Sequence, residues 1–106
     1  MARILKQETE RLLGNVPEDN VFRCCDGHIM KNLEDLRQAF GSMDDGAYMY
    51  HANSEKNDFC NWVRYIIRDE KLASDLSTSH NKSEAAKAVD ERIGLLNDQK
   101  AKLREV

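Results

Sequence analysis

The chain has 106 residues and a mass of 12.2 kDa, enough for one compact domain and too little for two. Charged residues make up 33% and apolar residues 41%. No apolar run approaches the ~20 residues that a membrane-spanning helix needs, so no membrane role is expected. A net charge of −3 and a pI near 5.6 argue against a protein that coats nucleic acid.

The acidic excess lies in the first half: residues 1–58 carry 7 Lys and Arg against 11 Asp and Glu, and residues 59–106 carry 9 against 8. The N-terminus shows no basic-then-apolar leader, and the three cysteines, Cys24, Cys25 and Cys60, are an odd number. Reduced thiols and a cytoplasmic location are therefore expected.

In chain order, ARILKQETERLL reads as a helix of strong formers closed by Gly14, with Ile4, Leu5, Leu12 and Leu13 on one broad face. The polar gap in that face leaves Ile4 and Leu12 available to a partner, and residues 1–16 stand as an N-terminal helix apart from the core domain. Pro17 and the EDN that follows mark a loop. VFRCC-DG-HIMK then reads as a hairpin over residues 21–31, with Asp26-Gly27 as a two-residue turn. That turn pairs Cys25 with His28 and Cys24 with Ile29, so Phe22, Cys24 and Ile29 should point inward.

Asn32 caps a helix carrying Leu33, Leu36, Ala39 and Phe40, which Gly41 should end; Ser42 with Asp45 should open the next, carrying Met43, Ala47, Tyr48 and Tyr50. Asn57 caps the most apolar helix, in which Phe59, Trp62, Val63, Ile66 and Ile67 follow helical spacing. These should pack against Leu33, Leu36, Phe40, Val89 and Ile93. Arg68-Asp69-Glu70 reads as a bend, and Leu72, Ala73 and Leu76 as one more helical stretch. Asn81 with Glu84 opens a long helix whose stripe of Ala85, Ala86, Val89, Ile93 and Leu96 stops well before Leu103. Residues 98–106 are expected to project or fray, offering Leu103 to a partner. The fold class is mainly α: one compact domain of about five helices with a small β-hairpin, its core spanning residues 17–97.

Several of these residues form a recognisable string: Asp26-Gly27, Asn32-Leu33 with Leu36, Tyr50-His51, Lys56-Asn57-Asp58-Phe59 with Trp62-Val63, and Leu72-Ala73. The string resembles a family of small, uncharacterised prokaryotic domains found chiefly in archaea and candidate bacterial phyla. Its pattern is D-G, N-L-x-x-L, Y-H, K-N-D-F-x-x-W-V and a closing L-A, matched over about residues 21–97. The resemblance implies an intracellular, archaeal origin and brings no activity or cofactor with it.

Three groups of residues carry candidate chemistry. His51, Asn57 and Asp58 end one helix and begin the next, a corner that suits a partner or, in a third reading, acid–base catalysis by His51 and Asp58. Helix capping and helix-dipole effects explain the same residues without any partner. Arg64, Arg68 and Lys71, with Tyr65 nearby, could meet RNA phosphates and a base, although Asp69 and Glu70 dilute their charge. Cys25 and His28 share one short spacing, with His51 and Cys60 in the same half. Zinc sites usually show two such spacings, and adjacent strand cysteines point to opposite faces. No metal or cofactor is therefore assigned. The leading expectation is a non-enzymatic protein-interaction or regulatory domain with a protein partner or a second copy of itself. An RNA- or ribosome-associated factor is the alternative, and no small-molecule substrate is identified.

Overall fold

The computed structural model describes residues 6–104, with side chains from 7 to 101. Among the described residues, six α-helices and one hairpin follow in the order α1 (Lys6–Leu13), β1 (Phe22–Arg23), β2 (Ile29–Met30), α2 (Leu33–Ser42), α3 (Asp45–His51), α4 (Asp58–Trp62), α5 (Glu70–Ser77) and α6 (Lys82–Arg104). The fold is mainly α, as the sequence indicates, and no helix of the described residues is long and apolar enough to cross a membrane.

The helix starts are set by short polar side chains. Asn32 Oδ1 accepts from the Asp35 amide at 2.7 Å, Asn57 Oδ1 from that of Cys60 at 3.0 Å, and Asn81 Oδ1 from that of Glu84 at 2.9 Å. Each satisfies an amide that the first helical turn leaves without a partner. The cap of α3 differs from expectation. Asp44, not Ser42, accepts from the Ala47 amide at 2.8 Å, and α2 runs through Gly41 to Ser42.

The hairpin forms one residue out of the expected register. Phe22 pairs with Met30 and Arg23 with Ile29. The loop has three residues: the Gly27 amide donates to the Cys24 carbonyl at 3.0 Å, and Gly27 takes φ 98°. This is a type I turn closed by a left-handed glycine, in place of a two-residue turn. Because strand side chains alternate with period two, the slip reverses the inward face of β2 alone, while Phe22 and Cys24 stay buried as expected. Met30 is 0% exposed and Ile29 is 55% exposed.

Phe59 sits at the centre of the core. Its ring stacks on Phe22 (centroids 5.1 Å) and Tyr48 (5.6 Å) and meets Phe40 edge-on at 4.9 Å. Trp62 packs edge-on against Phe22 and donates its indole N–H to the Asn20 carbonyl at 2.8 Å. Leu33, Leu36, Phe40, Val63, Val89 and Ile93 are buried as expected, but Ile66 is only half-buried. The cause is a π-helical turn, Val63–Ile67, that follows α4: the Arg68 amide reaches five residues back to the Val63 carbonyl at 2.7 Å. The wider turn swings Ile67 inward and Tyr65 into solvent, and it ends with Arg68 left-handed at φ 68°.

The terminal helices belong to the same packing. α1 lies along α6, with Thr9 and Leu12 buried, so the Leu12 side chain that the sequence offers to a partner is used by the fold itself. Arg11 reaches from α1 to donate to the carbonyls of Ile67 (2.7 Å) and Arg68 (3.2 Å). It thereby satisfies acceptors left open where the π-helical turn ends. α6 runs to Arg104, the last described residue, with Gln99 and Lys100 half-buried. Ile4 and the side chain of Leu103 lie outside the described residues.

Candidate functional site

The corner between α3 and α4 brings His51, Asn57 and Asp58 together, as the sequence indicates. His51 is buried in the last turn of α3, edge-on to Phe22, Tyr50 and Phe59 at 5.1, 4.9 and 5.5 Å. Both ring nitrogens have partners: Nε2 accepts from the Cys25 amide at 3.0 Å, and Nδ1 lies 3.0 Å from Asp58 Oδ2. An amide N–H can only donate, so Nε2 supplies a lone pair, Nδ1 carries the proton, and Asp58 accepts it. Lys56 Nζ donates to the same carboxylate oxygen at 3.0 Å. Partial burial alone would push the Asp58 carboxyl up, but the hydrogen bonds from His51 and Lys56 outweigh it and hold the carboxyl below its ordinary range.

Asn57 is committed at both ends of its amide. Oδ1 caps α4, and Nδ2 donates to the Leu76 carbonyl at 3.1 Å, tying the corner to the end of α5. The loop between Ala52 and Asn57 is held by a β-bridge between those two residues. The Asn53 side chain adds to this by donating to the Met49 carbonyl and accepting from the Glu55 amide.

Behind this loop lies a groove of about 690 Å³, walled by α3, the 53–57 loop and the facing ends of α5 and α6. Tyr48, Met49 and Ala52 form its apolar side, and Asn53, Asn57 and Asn81 are among its polar lining. Met49 is 60% exposed although it is a large apolar residue. His51 and Asp58, the pair that sequence reading offers for acid–base catalysis, are not among the residues lining this groove; His51 is buried against the hairpin turn and Asp58 is half-buried beside Lys56.

The basic residues proposed for RNA are each set beside an acid. Arg64 pairs with Glu70 at 3.1 Å, Lys71 with Asp75 at 2.9 Å, and Arg68 lies close enough to help lower the Glu8 carboxyl, whose main partner is Arg11. Tyr65 is exposed. Asp69 turns inward to pair with Arg92 on α6, at 2.8 Å, and takes no part in the outer face.

Among the described residues, one group of three side chains has metal-ligand chemistry at close range: the thiols of Cys24 and Cys25 and a ring nitrogen of His51 lie within 4.8 Å of one another. Sequence reasoning grouped Cys25 with His28 instead. His28 is turned to Asp26, with Nδ1 at 2.8 Å from Oδ1, and the Cys60 thiol donates to the Ala73 carbonyl at 3.2 Å. Strand alternation would send the two adjacent cysteines to opposite faces, but Cys25 sits in the turn, where that alternation does not hold. Burial pushes the Cys24 thiol up to about 11; Cys25 is exposed.

Comparison with known proteins gives no matching family model, no matching curated protein and no matching solved structure.

Proposed function

We propose that the chain is a non-enzymatic interaction module that takes a segment of a partner protein in the groove between α3, the 53–57 loop and α6. The observation that carries this reading is the groove itself, about 690 Å³ with Met49 standing 60% exposed in its wall. Exposed apolar side chains beside a concave surface gain burial from a ligand, and a few fixed polar groups orient it. Tyr48, Met49 and Ala52 suit an apolar side chain of the partner, while the side-chain NH2 of Asn81, whose Oδ1 caps α6, can donate to its backbone. The corner supports this surface from behind: Asn57 and the His51–Asp58 pair spend their polar groups on holding the loop that forms the rim.

The experiment is affinity capture from a native extract with three versions of the protein. Met49→Asp alters an exposed side chain and should leave the melting temperature unchanged while removing the captured partner. Simultaneous charge reversal at Arg64, Arg68 and Lys71 should leave capture intact. The opposite pattern, capture that survives Met49→Asp and fails on charge reversal with steep salt dependence, would replace this reading with a nucleic-acid one. Sedimentation of the purified chain identifies self-association if the partner is a second copy.

A further inference from the structure

We infer that Cys24, Cys25 and His51 form a binding site for a thiophilic divalent metal ion of the zinc class, separate from the groove and independent of its occupant. The three ligand atoms already lie within 4.8 Å of one another, and they come from two segments that the fold brings together, the hairpin turn and the last turn of α3. Drawing them around one ion requires shifts on the order of an ångström from the ~2.0–2.3 Å metal–ligand distances.

The imidazole is set up for this role. Its Nδ1–H points to Asp58, and the opposite nitrogen, Nε2, presents its lone pair to the Cys24–Cys25 segment, 3.0 Å from the Cys25 amide. A carboxylate behind a histidine is the usual support for a metal ligand, because it fixes the tautomer and raises the basicity of the free nitrogen. Two thiolates and one imidazole favour zinc or a similarly soft ion over magnesium or calcium, which take oxygen ligands.

Binding exchanges the Cys25 N–H···Nε2 hydrogen bond for a metal–nitrogen bond. It also releases two protons, one from each thiol, while His51 binds as the neutral ring and keeps its proton on Nδ1. Three protein ligands would leave one position of a tetrahedral ion open to water, and Cys25 is exposed to solvent.

The test uses the reduced, metal-stripped full chain and cobalt(II) as the probe. One cobalt should bind per chain with thiolate-to-cobalt charge-transfer absorption, zinc should displace it, and about two protons should be released per ion. Cys25→Ser, at an exposed position, should weaken cobalt binding and, at saturation, reduce the charge-transfer absorption to that of one thiolate. Asp58→Asn should weaken binding about 10–100-fold, and Cys60→Ser should leave it unchanged. A ring-nitrogen shift of His51 on adding zinc, read by NMR on the wild-type chain, gives a check that needs no substitution. Absence of the charge-transfer band in the wild-type protein, its persistence at undiminished intensity and affinity in Cys25→Ser, or an unmoved His51 ring would each overturn the assignment.

Discussion

Asp69 offers the sharpest test of how the helices are joined. It is buried, and its carboxylate does two things at once: Oδ1 caps α5 through the Leu72 amide at 3.1 Å, and both oxygens hold the Arg92 guanidinium of α6, at 2.8 and 3.0 Å. Asp69→Ser keeps a cap acceptor but strands Arg92, whose side chain is only 11% exposed. Removing one partner of such a pair costs ~3–5 kcal/mol, a large share of the ~5–15 kcal/mol available to a domain. Asp69→Ala loses the cap as well, adding about 0.5–2 kcal/mol. Arg92→Met in the Asp69→Ser background removes the stranded charge, so the double variant should be more stable than Asp69→Ser by ~1 kcal/mol or more. Urea unfolding followed by the fluorescence of Trp62, the single tryptophan, measures all four proteins of the cycle. If Arg92→Met destabilises the Asp69→Ser protein as much as it does the wild type, the two side chains act independently and the reasoning fails.

Three further predictions follow from local geometry. Met30→Ala should cost ~2–5 kcal/mol as a core truncation, while Ile29→Ala stays within about 0.5 kcal/mol; equal costs in urea unfolding would mean the register is wrong. Asn57→Ser keeps the cap but leaves the Leu76 carbonyl without its donor, a loss of about 0.5–1.5 kcal/mol, and Asn57→Ala should cost about 0.5–2 kcal/mol more; a neutral Asn57→Ser would show that the second bond contributes nothing. Burial, aided by the Glu84 charge, raises the Tyr48 phenol above its ordinary 10.0. Its stabilisation is present below that value and lost as pH rises through the higher folded value, so alkaline unfolding should have a component that Tyr48→Phe removes.

What could be read from the sequence is what is decided locally. The caps at Asn32, Asn57 and Asn81 and the stripes of α2, α4 and α6 depend on residues within a few positions of each other. The hairpin register does not. Asp26-Gly27 fits a two-residue or a three-residue loop, and only the core behind it selects Met30 over Ile29. The π-helical turn was equally hidden, because its apolar residues also satisfy α spacing and its left-handed end falls on Arg68, with no glycine to signal it. At the site, the nearness of His51, Asn57 and Asp58 followed from a short connection between two helices. The approach of Cys25 to His51 spans 26 positions and follows from the turn geometry that the sequence left open. For the same reason the second bond of Asn57, to the Leu76 carbonyl 19 positions on, cannot be read from its capping role alone.

The claim that the groove is the working surface is tested most directly by amide NMR spectra of the isotope-labelled protein with and without a native extract. The account predicts broadening or shifts centred on residues 48–57 and 77–82, with the outer face around Arg64, Arg68 and Lys71 unmoved. Changes centred on that outer face, with the groove unmoved, would contradict it.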